Sequence, residues 1–179
     1  MARIGSVQAC SLLLDVQYSR QSFQNRSRIR NADGWQWLTV PVLGGQFGTG
    51  IRDMQIEEAG AWRKRHLKGL RYNYATSPFY DHYLASIKDL LSGDLTNLAD
   101  LTCKTVTFMA VELGFETRIE ISESKSVPSG GFISDATFRY EHPQYRQNFE
   151  GFIPMMSSLD VLFNHGPDSK RIIMEGIVI

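Results

Sequence analysis

Between positions 16 and 32 the chain carries Arg20, Arg26, Arg28 and Arg30 and no acidic residue. They sit among glutamines and asparagines in a protein with 19 Lys+Arg, 19 Asp+Glu and zero formal net charge. A guanidinium presents a planar fork that grips a carboxylate or phosphate at two points. The stretch therefore reads either as an anion site or as a solvated loop whose arginines pair with acids elsewhere. Arg26 and Arg28 are two positions apart and share a face wherever the chain is extended. Asp15 and Gln17 precede them, at the carboxyl end of an apolar run from Cys10 to Leu14. Open α/β sheets bind ligands at that end of their strands.

A second group lies in "AWRKRHLKGLRYNY", which has six basic or histidine positions, with no acid between Glu58 and Asp81. On a helix Trp62, Leu67, Leu70 and Tyr74 form the apolar arc, and Lys64, Arg65, Lys68 and Arg71 fall mainly outside it. Arg63 and His66 fall inside. An inward charge without a partner is costly, so these two are either satisfied core groups or site residues facing a cleft. Single-stranded nucleic acid is the rival ligand for both groups, with Trp35, Trp37, Trp62, Tyr72 and Tyr74 as stacking surfaces. Neutral net charge gives it no support at the level of the whole chain, and it needs a local basic face.

The third group is near the end of the chain. His142 precedes Pro143, which holds its backbone extended. Asp160 and Asn164 are i,i+4 neighbours on a short helix. Ser157-Ser158-Leu159-Asp160 also spells a helix-capping box with Asp160 in the third position. A capping Asp160 and a general-base Asp160 give the same sequence.

The elements that must position these groups follow from patterning. Strands are expected at 7–14, 35–42, 51–57 and 117–122, helices at 61–74, 78–91, 95–113 and 158–163, and a turn at Asn31–Gly34. The glycine-rich 44–50 reads as a loop, residues 135–145 as extended, and the apolar tail 171–179 as strand-like. Strands, then helices, then strands predict an α/β or α+β fold with a central mixed sheet and about four helices. One domain over 1–179 suits the length, with a helical middle portion at about 60–114. A chain of this size buries about 70% of the surface exposed when unfolded.

Composition is that of an ordinary soluble protein, 42% hydrophobic and 21% charged. Cys10 and Cys103 belong to no CxxC pair and read as reduced thiols. No stretch reaches the roughly 20 apolar residues of a membrane span, and the first residues do not make a signal peptide, so a cytoplasmic location is expected. Dinucleotide, P-loop and nucleophile-elbow fingerprints are absent. The four histidines lack zinc-like spacing. No metal is expected, and the cofactor and oligomeric state are left open.

Three segments, "LLLDVQYSRQSFQNRSRIRNADGWQWLTVPV", "WRKRHLKGLRYNYATSPFYDHY" and "HPQYRQNFEGFIPMMSSLDVLFNHGPDS", resemble the WbqC-like proteins in both order and wording. Members of that family occur in gene clusters for O-antigen and other surface polysaccharides. One activity proposed for them is transfer of glycine or another amino acid onto a sugar. The resemblance implies site residues at Asp15, Gln17, Asn25 and Arg26, at His66, at His142, Tyr145 and Gln147, and at Asp160 and Asn164. Arg26 and Arg28, with Arg63, suit an anionic substrate such as a sugar nucleotide. His66, His142 or Asp160 suits the base that deprotonates the acceptor. A non-catalytic relative that binds a sugar phosphate or a partner subunit is the alternative. Against the usual family pattern, the chain begins after the place of a His-Gln-Pro segment, and the stretch from Ser124 to Asp135 is short.

Overall fold

The computed structural model describes residues 1–44, 48–58, 61–93, 95–122 and 138–178. A short helix, α1 (Ala2–Gly5), leads into β1 (Ala9–Leu13). The arginine-rich stretch is only partly a loop. Its second half is strand β2 (Arg26–Asn31), which turns back into β3 (Gly34–Thr39) with Asn31 facing Gly34 and Arg26 facing Thr39. Gly34 takes a φ of +129°, a conformation other residues rarely adopt. Side chains alternate along β2. Ile29 turns into the core and is fully buried, while Arg26 and Arg28 lie on the other face with Trp35 and Trp37.

Three helices follow, close to their expected places: α2 (Trp62–Tyr74), α3 (Tyr80–Ser92) and α4 (Leu98–Glu112). Asn97 caps α4, its side chain accepting from the Ala99 amide at 2.8 Å. Helix α2 packs against the Ile29–Leu38 face of the hairpin. Gly69 permits that approach, since a Cβ there would come within 3.1 Å of the Gln36 side chain. Strand β4 (Arg118–Ser122) pairs with β1 in parallel, Ala9 opposite Arg118 through Leu13 opposite Ser122. Strand β5 (Arg139–Tyr140), helix α5 (Ser158–His165), helix α6 (Ser169–Glu175) and strand β6 (Ile177–Val178) complete the order.

The fold is a mixed α/β domain, but the strands do not merge into one central sheet. Among the described residues they form three two-stranded ladders, β1–β4, β2–β3 and β5–β6. The main core gathers Ile29, Leu38, Leu70, Tyr74, Leu162 and Phe163 around the hairpin, α2 and α5. A smaller cluster holds Ile51, Met54, Ile56, Trp62, Leu98 and Leu101.

Two further expectations change. Residues 51–57 are not a strand. Ile51–Asp53 is a 3-10 turn, and Ile51, Met54 and Ile56 are all buried, a spacing that does not alternate as a strand must. The backbone around it pairs with separate segments, through Leu43–Gln55, Ile56–Thr96 and Leu98–Met54 hydrogen bonds. The tail is mostly helix α6, followed by the two-residue β6. Burial of Ile172 and Ile173 against α1 and α5 outweighs the β preference of isoleucine. The extended 135–145 segment pairs only at Arg139–Tyr140 within its described part. The short stretch from Ser124 to Asp135 lies outside the described residues. Cys10 and Cys103 are free thiols. No described helix is long and apolar enough to cross a membrane.

Candidate functional site

A cavity of about 410 Å³ opens between the start of the hairpin and helices α2, α3 and α4. Its polar wall comes from two of the sequence groups. At the foot of β2, Asn25 donates from Nδ2 to the Val40 carbonyl at 3.0 Å. On α2, His66 Nε2 lies 3.0 Å from the carbonyl of Thr39, the residue before Val40. A carbonyl only accepts, so Nε2 carries the hydrogen and Nδ1 keeps the lone pair. Adjacent backbone carbonyls thus anchor both side chains. The Trp62 ring stands edge-on to the His66 ring at 5.0 Å between centroids. Arg26 lies over the Trp37 ring at 4.1 Å and donates from Nη2 to the Gln21 carbonyl.

Three polar atoms of these residues are buried, out of reach of solvent, without a partner among the described residues: Asn25 Oδ1, Arg26 Nε and Trp62 Nε1. Each forgoes water without recompense, at a cost of roughly 1–3 kcal/mol. Burial is the main force holding the His66 imidazole below its ordinary value. Its bond to Thr39 opposes that shift, and the nearby Arg65 charge reinforces it. His66 is therefore neutral at pH 7 and free to accept a proton at Nδ1. Arg28 stacks beyond the cavity, 4.3 Å from the Trp35 ring and 5.0 Å from that of Trp37, and its Nε is likewise unpartnered.

Asp160 belongs to a different arrangement. It is the third residue of α5, after the Ser157 cap, whose hydroxyl accepts from the Leu159 amide. Its carboxylate does not turn back to the cap. It points inward with no exposure and accepts from Tyr74 Oη at 2.7 Å, Tyr145 Oη at 2.8 Å and Gln147 Nε2 at 3.0 Å. Tyr74 Oη in turn accepts from the Arg30 amide at 2.8 Å. The Arg30 guanidinium donates to Gln147 Oε1 at 3.1 Å and to the carbonyls of Asn31, Gly34 and Glu150. Desolvation pushes the Asp160 carboxyl above its ordinary value, opposed by the hydrogen bonds from Tyr74, Tyr145 and Gln147 and by the Arg30 charge. Burial, then the Asp160 charge, drives the Tyr74 and Tyr145 hydroxyls far above theirs. Asn164 donates from Nδ2 to the Asp160 carbonyl one helical turn back, at 2.7 Å.

The remaining expected site residues are dispersed. His142 is exposed, its ring edge-on to Tyr140 and its Nε2 2.9 Å from Met155 Sδ. With Tyr145 it lines a second cavity of about 260 Å³ beside the N-terminal helix, and partial burial lowers its pKa. Asp15 forms an ion pair with Arg52 at 2.8 Å. Gln17 is exposed and bridges Gly50 through its backbone. Arg63 pairs with Glu58, donates to the Leu95 carbonyl and lies over the Trp62 ring. The structure thus brings Asn25, Arg26 and His66 together at one cavity and Tyr145, Gln147 and Asp160 together in one network. His66, His142 and Asp160 do not meet. Trp62, Arg30 and Tyr74 complete these arrangements. The sequence points to Arg30 only as one arginine of the anion stretch, and to Trp62 and Tyr74 only as apolar-arc residues of α2 or stacking surfaces. Among the described residues no group of three His, Cys, Asp or Glu side chains could hold a metal.

The profile of the WbqC-like protein family matches residues 1–131 and 133–172. The chain belongs to that family. The match spans both arrangements. This WbqC-like chain is also 29% identical to an uncharacterized protein, Rv1507c, of Mycobacterium tuberculosis, over 87% of its own length and 83% of the relative's. No solved structure matches it significantly.

Proposed function

We propose that this WbqC-like protein is a cytoplasmic transferase of surface-polysaccharide biosynthesis that moves glycine, another amino acid or a related acyl group from an activated donor onto a sugar. One observation carries the reading: Asn25 and Arg26 from one motif and His66 from another meet on the wall of a single cavity. The donor would be an acyl thioester or acyl phosphate. An acceptor hydroxyl or amine attacks the carbonyl carbon, the new bond forms, and the bond to the thiolate or phosphate breaks. His66 Nδ1 takes the acceptor's proton and returns it to the leaving group. Arg26 supplies positive charge to an anionic donor or sugar nucleotide, with Arg28 beside it.

The test is product formation by the purified chain from a panel of acyl and aminoacyl thioesters with sugar-nucleotide acceptors, read by mass spectrometry. His66→Gln is expected to lower turnover by about 10²-fold or more with little change in melting temperature. Equal turnover by that variant would remove His66 as the base.

A second reading has its own support. His66, His142 and Asp160 are apart, and the Asp160 carboxylate is fully engaged within the core. A non-catalytic binder of a sugar phosphate or partner would have no need of their convergence. It predicts stabilisation by ligand without turnover. Strong, salt-sensitive binding of an oligonucleotide with no response to sugar nucleotides would displace both readings.

A further inference from the structure

Helix α2 turns a basic arc to solvent. Lys64, Arg65, Lys68, Arg71 and Tyr72 are all exposed. At 3.6 residues per turn they fall within an arc of about 120°. No acid lies between Glu58 and Asp81 in the sequence, so nothing on the helix offsets these charges. Lys64 and Lys68 are i,i+4 neighbours and Lys68 and Arg71 are i,i+3 neighbours, spacings at which like charges weaken a helix. Lys88 of α3 adds a fifth cation across an open groove of about 580 Å³, which Lys68 and Arg71 also line and in which Asp81 is the one acid. Among the described residues no ion pair or side-chain hydrogen bond engages any of the five. By contrast Arg63, on the inward side of the same helix, pairs with Glu58. In a chain of zero formal net charge this is a segregated basic face.

We infer that this face docks the protein on a bilayer surface of anionic phospholipid, with the five cations against the headgroup phosphates and Tyr72 at the boundary. The charges of α2 extend from Lys64 to Arg71, about 10 Å along the helix. A single phosphate or pyrophosphate would meet only a few of them, whereas an array of headgroups meets them all. Tyr72 is 84% exposed, and an apolar ring with a polar tip suits the membrane–water boundary. Single-stranded nucleic acid, the other polyanion, needs several open rings beside its phosphates. Trp62 and Tyr74 are buried. Trp35 and Trp37 stand on the hairpin face turned away from α2, with the Arg26 and Arg28 guanidinia over their rings. That leaves Tyr72 as the one exposed aromatic ring of α2.

Flotation of the purified full chain with vesicles tests it, using phosphatidylcholine with and without about 30% phosphatidylglycerol. Binding is expected only with the anionic lipid, and it should be lost at about 0.5 M salt, where screening acts within a few ångströms. Each cation at the surface contributes about fivefold to partitioning, so the double variant Lys64→Gln/Lys68→Gln should bind about 25-fold more weakly. Tyr72→Ser should weaken binding severalfold and keep the salt dependence. Lys104→Gln, which removes an exposed charge from α4, should leave binding within about twofold. All these side chains are exposed, so melting temperatures should stay near that of the wild type. No binding to the anionic vesicles overturns the inference, as does equal binding to the neutral ones or a double variant that binds like the wild type. Tighter binding of a single-stranded oligonucleotide than of vesicles would also overturn it and give the face to nucleic acid. The inference does not rest on the transferase reading. A chain that transfers an acyl group but does not float with vesicles fails here alone, and one that floats but transfers nothing fails there alone.

Discussion

Two polar constellations lie within one small domain, and they differ in how completely they are satisfied. Around Asp160 both carboxylate oxygens accept hydrogen bonds from Tyr74, Tyr145 and Gln147, and Arg30 donates to four acceptors. Near the 410 Å³ cavity Asn25, Arg26 and Trp62 each keep a buried polar atom without a partner among the described residues. The first pattern is how a protein makes buried charge tolerable. The second carries an uncompensated free-energy cost. The contrast separates a satisfied network from an unsatisfied one among residues of the same chemical types, which sequence patterning could not do.

Mutations that break the contrast should have graded effects. The largest is expected for Asp160→Ala, which strips the acceptor from three buried donors and leaves the Arg30 charge without its nearby carboxylate. Unfolding in urea should show a loss of about 3–5 kcal/mol. A loss under 1 kcal/mol would mean that the network is not structural. Tyr74→Phe removes one hydroxyl that both accepts from Arg30 and donates to Asp160, and should cost about 1–3 kcal/mol in the same assay.

The pH dependence comes next. Burial depresses the His66 pKa, so the unfolded chain takes up that proton first as pH falls. The contribution of His66 is complete above about pH 6.5 and is lost as pH falls through the folded-state value. Asp160 runs the other way. Its raised carboxyl contributes most below its ordinary value, and that contribution is lost as pH rises through the folded-state value. A plot of stability from pH 7 to 5 should therefore fall less steeply in His66→Gln than in the wild type. Parallel slopes would show that His66 is not held neutral by the fold.

Much of this organisation was legible in the residues. The 3.6-residue period placed α2, α3 and α4 within a few positions, and it put His66 inside the apolar arc of α2, where it lies. Ser157 was legible as a cap. The second half of the arginine stretch was not legible as a strand, because Arg26, Arg28 and Arg30 conceal an alternation whose other face is carried by Ile29 alone. Nor was the role of Asp160, since a capping carboxylate and a buried one follow the same helix start, and only the distant Tyr74 and Tyr145 decide between them. The tail misled because isoleucines favour strands until packing supplies a better partner. The joining of Asn25 to His66 depends on the carbonyls of Thr39 and Val40, and backbone carbonyls leave no trace in a sequence.

The Asp160 network also bears on the order in which the molecule can be assembled. Its hydrogen bonds span 44 residues from Arg30 to Tyr74, 86 from Tyr74 to Asp160 and 117 from Arg30 to Gln147. Closing such loops gains nothing until the last partner arrives. During synthesis the hairpin and α2 emerge early, yet the Tyr74 hydroxyl meets its acceptor only once α5 has left the ribosome, and Arg30 gains Gln147 and Glu150 only late. A chain stopped at residue 150 would lack the carboxylate to which Tyr74 and Tyr145 donate. The N-terminal hairpin and α2 therefore depend on the C-terminal helix to close a network that they cannot complete alone.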